Sequence, residues 1–95
     1  MPSYKLSLAA KEDLYRIWQY GLENYGLKQA NDYLDGLEKH FEVLAQSPYA
    51  HPSVDEIRQG YRRSICNVES VYYRIVDDGV EIMAILGRQD ADDWL

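Results

Sequence analysis

Apolar and polar residues change their rhythm along this chain, and each change marks an element. Tyr4-Lys5-Leu6-Ser7-Leu8 alternates, the period-two pattern of a short strand with one buried face. From Ala9 the period lengthens. Leu14, Ile17, Trp18, Gly21, Leu22 and Tyr25 recur at three- and four-residue spacing, the stripe of an amphipathic helix. Glu12 and Asp13 fall in what this reading takes as its first turn, where carboxylates complement the helix dipole. Tyr25-Gly26 supplies the stop, with Gly26 free to take the left-handed conformation of a helix end. A second stripe follows at once: Ala30, Tyr33, Leu34, Leu37, Phe41, Leu44 and Ala45, closed by Ser47-Pro48. Two helices joined by so short a turn pack as an antiparallel hairpin.

Residues 48–56, with Pro48, Pro52, Asp55 and Glu56, read as a surface loop. The chain then turns to strands. Residues 59–66 form the first of them, and residues 70–76, rich in β-branched and aromatic side chains, the second. Asp77-Asp78-Gly79 is a hairpin turn, since Asp-Gly tolerates positive backbone angles. Residues 80–86 are almost continuously apolar, the mark of a central strand covered on both faces for part of its length. The order strand, helix, helix, three strands predicts an α+β fold. In it an antiparallel helical hairpin packs on one face of a mostly antiparallel four-stranded sheet. The other face is left for solvent, a partner or self-association. With 95 residues, one domain over 1–95 is expected.

Charge narrows the function. Ten Lys and Arg stand against 16 Asp and Glu, a net charge of −6, which argues against a general nucleic-acid binder. No apolar run is long enough to span a bilayer, and the first residues lack a signal core, so a cytoplasmic protein is expected. One cysteine, Cys66, and two histidines supply neither an internal disulfide nor a metal framework, and no cofactor is implied. Neither a Gly-rich phosphate loop nor a serine-nucleophile motif occurs. His40 and His51 read as structural or solvated, because no positioned catalytic partner is evident. Nine of the twelve aromatic residues are Tyr, and Tyr61, Tyr72 and Tyr73 read as core or interface packing.

The cations are segregated. Lys5, Lys11, Lys28 and Lys39 lie in the helical half, whereas Arg58, Arg62, Arg63, Arg74 and Arg88 lie in the sheet half. Arginine suits a site that grips carboxylate or phosphate through a planar fork. Arg62 and Arg63 point to opposite faces of a regular strand. Two readings stand: the arginines pair with Asp77, Asp78, Glu81 and Asp90, or they form a docking face for an anionic partner. The tail carries three Asp and ends in Trp94-Leu95, an apolar pair suited to anchoring a contact or capping the core.

Taken in order, these pieces resemble the ParE toxins of bacterial type II toxin–antitoxin systems, within the ParE/RelE superfamily. The resemblance starts at residues 8–20, where the family has Ala-x-x-Asp-Leu-x-x-Ile and this chain has Ala10, Asp13, Leu14 and Ile17. It continues through Tyr25-Gly26, Tyr33-Leu34, residues 44–48, residues 56–63, Val71-Tyr72-Tyr73-Arg74 and residues 82–90. It implies a toxin that binds and poisons DNA gyrase without chemistry of its own, held by a cognate ParD-like or related antitoxin. Antitoxin contacts are expected at Arg58, Arg62, Arg63, Tyr73, Arg74 and Arg88, and target contacts at Arg88, Asp90, Trp94 and Leu95. The alternatives are a RelE-like ribosome-dependent mRNA nuclease, or a degenerate or retargeted relative that binds only antitoxin. Glu69 and Gly87 stand where many relatives carry His, no Lys follows Lys39, and no Tyr follows Tyr73. With no His expected near the sheet, acid–base chemistry on RNA lacks its groups.

Overall fold

Six elements succeed one another in the computed structural model, which describes residues 2–87. They are β1 (Ser3–Leu6), α1 (Leu8–Tyr25), α2 (Leu27–Gln46), β2 (Tyr61–Cys66), β3 (Glu69–Val76) and β4 (Gly79–Gly87). The strands form one sheet in the order β1-β4-β3-β2, antiparallel except where β1 runs parallel to β4. This is the expected α+β arrangement, with the helical hairpin on one face of the sheet. The apolar strand β4 is central, as its composition required.

Ser7 ends β1 and starts α1. Its backbone is extended and its Oγ accepts from the Ala10 N–H at 3.0 Å, a side-chain N-cap. The helix therefore begins at Leu8, which is not a strand residue, and Glu12 and Asp13 lie beyond the first turn rather than in it. Gly26 alone joins the helices, with φ of +92°, a value L side chains rarely adopt. The helices approach closely where Gly21 faces Ala30, at a distance where an added Cβ would just touch.

The main core lies between hairpin and sheet. Ala10 and Leu14 of α1, Leu37, Phe41, Leu44 and Ala45 of α2, and Val71, Tyr73, Val80, Ile82 and Ile85 of the sheet form one buried cluster. Full burial of a side chain such as Leu37, Phe41 or Leu44 stabilises by roughly 1.5–3 kcal/mol. The α1 stripe read from sequence is wider than the face α1 buries. Tyr25 is exposed, and Trp18 and Leu22 are only half-buried. Two adjacent stripes share the same spacing, and periodicity alone merges them.

The second sheet face is closed by the chain itself. Residues 48–60 run from the end of α2 around the edge of β2, and Val54 packs with Tyr72, Ala84 and Leu86, flanked by Ile57 and Tyr61. This corrects the reading of residues 48–56 as a plain surface loop, and it removes the need for a partner over that part of the sheet.

A bulge in β4 sets the register. Tyr72 pairs with Ala84 but Tyr73 pairs with Ile82, so Met83 is the extra residue. Val80, Ile82 and Ile85 thereby all face the helices, while Ala84 and Leu86 face the second core. Because β1 stops at Leu6, the outer edge of β4 beyond Ile82 lacks a strand partner among the described residues. Side chains from the start of α1 replace it: the Ser7 hydroxyl donates to the Met83 carbonyl at 3.0 Å, and Asp13 Oδ2 accepts from the Ile85 N–H at 3.0 Å. Asp13 Oδ1 takes the Arg16 guanidinium at 3.0 Å. At the other end of β1, Gly79 has φ of +147°, and a Cβ there would lie 1.7 Å from the Ser3 carbonyl oxygen. Asp77 and Asp78 make the turn without positive φ, so this glycine serves the close approach of β1.

Asp13→Ala leaves the Ile85 N–H without its acceptor and is expected to cost about 1–3 kcal/mol in urea unfolding. Asp13→Asn keeps an acceptor oxygen and is expected to cost less than half as much. Equal losses from both would show that the hydrogen bond is not what holds α1 to the bulge.

Candidate functional site

The sheet arginines do not converge. Arg62 turns toward the helix side and Arg63 away from it, as strand alternation requires, with Arg63 paired across from Tyr72 and Arg74 across from Tyr61. Arg63 and Arg74 therefore share the second face. Arg74 is engaged there: its Nε and Nη2 reach Glu81 Oε1 at 2.8 and 2.6 Å, a cross-strand ion pair. Arg58 is exposed in the segment that covers Ile57 and Val54. Tyr73, expected among the antitoxin contacts, is a core residue. It is fully buried and its hydroxyl donates to the Pro48 carbonyl at 2.6 Å, so it offers no surface to a partner. Arg88, Asp90, Trp94 and Leu95 lie outside the described residues.

Arg62 is half-buried and holds the segment that wraps β2. Its Nη1 donates to the His51 carbonyl at 2.6 Å and its guanidinium lies 5.1 Å from the Tyr49 ring centroid. Backbone bonds from Arg63 to Pro52 and from Val54 to Tyr61 complete the wrap. The same place gathers groups that the sequence left apart. His40 of α2 lies with Nε2 2.7 Å from Ser64 Oγ on β2, and the His51 ring sits 6.3 Å from that of His40 and 6.4 Å from that of Tyr73. Both histidines thus sit against the sheet, contrary to the expectation from sequence. His40 reaches the sheet because α2 packs on β2, and His51 joins it only because residues 48–60 fold back. A Ser–His pair at this distance has the geometry of a nucleophile and its base. Ser64 is 2% exposed, so the pair is packed between α2 and β2.

Burial lowers the His40 pKa from its ordinary value, and the nearby His51 charge adds to the effect. Burial raises the Cys66 thiol, and Glu69 raises it further. Tyr33 is pushed up to about 12 by burial and by Glu69, to whose Oε1 its hydroxyl donates at 3.4 Å. Glu69 and Gly87, the two departures from the family pattern, are direct cross-strand partners.

An apolar stripe lies open on the hairpin. Tyr15, Trp18, Leu22 and Tyr25 share one face of α1; Tyr15 and Tyr25 are each 63% exposed, and Leu8 and Leu27 extend the stripe at its ends. Trp18 is oriented by its Nε1–H, which donates to Asn31 Oδ1 of α2 at 2.9 Å, and its ring lies 6.2 Å from Tyr15. At the sheet's β2 edge the wrap ends at Arg63. Among the described residues, the outward backbone groups of Ile65 have no strand beside them, and Ile65 and Val68 are exposed. No group of three or more His, Cys, Asp or Glu is placed to hold a metal among the described residues. No described helix is long and apolar enough to cross a membrane.

Sequence comparison places this fold. The family described as "ParE toxin of type II toxin-antitoxin system, parDE" matches residues 4–92. The chain belongs to the ParE toxin family. Toxin ParE1 of Caulobacter vibrioides is 38% identical over 86 residues, covering 90% of this chain and 88% of the relative. Toxin ParE1 of Mycobacterium tuberculosis is 33% identical over 91 residues, covering 94% and 93%. A solved structure of the chromosomal ParDE system from P. aeruginosa aligns with a TM-score of 0.77 at 21% identity, over 92% of this chain and 96% of that one. That likeness is one of fold.

The buried His40 gives a pH dependence of definite sign. Its folded pKa lies below the unfolded value near 6.5, so its contribution to stability is present above that value and is lost as pH falls through the folded pKa. Urea midpoints are expected to fall between pH 7.5 and 5.0, and His40→Gln is expected to flatten that slope. An unchanged slope in the variant would place the pH response elsewhere.

Proposed function

We propose that this ParE-family toxin acts by binding a protein target, DNA gyrase, and has no chemistry of its own. A cognate ParD-like antitoxin neutralises it, in the cytoplasm. The observation that carries this reading is the exposed aromatic stripe on α1, a surface built for a protein partner. The sheet face bearing Arg63 and Arg74 supports it from the other side. Its floor is packed with Val54, Tyr72, Ala84 and Leu86, and Arg74 is committed to Glu81, so no acid–base pair flanks a site for phosphate. The nuclease alternative finds no comparable support among the described residues.

The antitoxin segment would order on binding. An amphipathic helix would lie along Tyr15, Trp18 and Tyr25, and an extended acidic piece would add to the open half of β2 beside Arg63. Tyr15→Ser and Arg63→Glu are each expected to weaken the cognate antitoxin at least about ten-fold in calorimetry, equivalent to about 1.4 kcal/mol. Unchanged affinity in both variants, with the fold intact, would move the antitoxin to another surface.

The gyrase reading is tested by supercoiling and cleavage-complex assays. Double-strand-cleaved plasmid is expected with the full chain and none with the chain truncated after Arg88. No effect on gyrase from a folded full-length protein would overturn the target and make the ribosome the next one to test.

A further inference from the structure

The sheet has a second open edge, opposite in character to β2. β1 bonds to β4 through its odd-numbered residues, as in the Ser3 N–H to Asp78 carbonyl bond at 2.8 Å and the Ser7 N–H to Ile82 carbonyl bond at 3.0 Å. The backbone groups of Tyr4 and Leu6 consequently point outward, and among the described residues no strand meets them. A cleft flanks the strand on each side. One, of about 260 Å³, is lined by Ser3, Lys5, Asp77 and Asp78; the other, of about 340 Å³, by Pro2, Tyr4, Glu42 and Gln46. An open edge between two clefts has the shape left by a missing strand, whose alternate side chains would fill the two sides in turn.

Charge selects the occupant. Asp77 and Asp78 stand at one cleft and Glu42 at the other, and Glu38 with Glu42 is close enough to raise the Tyr4 phenol, behind burial as the larger cause. Among the described residues none of these four carboxylates has an ion-pair partner, and Lys5 is the cation that opposes them. A second copy of the chain would bring the same four carboxylates against them, and its Pro2 withholds a backbone donor at the start of the strand. A segment with Lys or Arg at adjacent positions, which point to opposite sides of a strand, brings a cation to each cleft. We propose that the β1 edge is a strand-addition site for an extended basic segment of a partner protein. The proposal is independent of the gyrase and antitoxin assignments, which use other surfaces.

The test uses the full chain, isotope-labelled, with the peptide acetyl-Val-Lys-Lys-Val-Lys-Lys-amide as probe, which places Lys on both faces of a strand, and its counterpart with Glu at the Lys positions as control. The basic peptide is expected to bind, to slow hydrogen exchange at the Tyr4 and Leu6 amides, and to weaken as salt rises. The acidic peptide is expected to bind at least about ten-fold less tightly. Glu42→Gln combined with Asp77→Asn should weaken the basic peptide about three- to ten-fold, whereas Lys5→Glu should strengthen it. Both sets of substitutions are on the surface, and the opposite signs separate charge from unfolding. The proposal fails if neither peptide binds, if both bind equally, or if the shifts centre on Ile65. It fails equally if a concentration-dependent dimer protects the Tyr4 and Leu6 amides without peptide.

Discussion

Everything in this fold meets at the bulge in β4. A central strand with an extra residue leaves backbone groups turned away from the ladder, and inside a protein such groups cost free energy unless paired. Ser7 and Asp13 pair them, and both belong to the chain that has just left β1. Ser7 also caps α1, so a single hydroxyl sets where the strand stops, where the helix starts and where the helix sits on the sheet. The bulge in turn lets Val80, Ile82 and Ile85 face one core while Ala84 and Leu86 face another. Without it, one of the two cores would lose its contribution from β4.

Much of the architecture was legible from periodicity, and the failures have a common cause. Both helices, the single-glycine turn and the three later strands follow from local spacing and punctuation. Asp13 looked like dipole complementation because its acceptor role is defined by a residue 72 positions away. Residues 48–56 looked like a plain surface loop because two prolines and two acids hide Val54, whose burial depends on a sheet face no local pattern reveals. His40 and Ser64 meet where α2 packs on β2, and His51 joins them through the wrap of residues 48–60. Of the candidate residues, Arg62, Arg63 and Arg74 lie on the strands expected of them, with Arg62 and Arg63 on opposite faces as alternation requires, whereas Arg58 precedes β2 in an irregular segment. Tyr73 was drawn into the surface by its neighbours in sequence, whereas alternation sends it to the core.

The family pattern acquires a physical meaning here. In Ala-x-x-Asp-Leu-x-x-Ile, Ala10 is fully buried, Leu14 and Ile17 belong to the main core, and Asp13 reaches the bulge. The motif docks α1 on β4. Surface properties are distributed around that frame. Apolar and aromatic side chains lie along the hairpin, arginines flank β2, and carboxylates gather about β1. A sheet whose two edges differ so much in charge can take different partners without competition between them.

The parallel pairing of β1 with β4 joins the first strand made to the last. Ser7 and Met83 are 76 residues apart. At synthesis rates of ~5–20 residues per second, the first strand waits about 4–15 s for its neighbour to exist. Until then Tyr4 and Leu6 have no sheet to join, Ser7 caps a helix with nothing beneath it, and the hairpin's core face stays open to water. Folding is therefore a late and largely non-local event, slow for a chain of this size. Until β4 has been made, the face that Leu37, Phe41 and Leu44 turn toward the sheet has nothing to cover it.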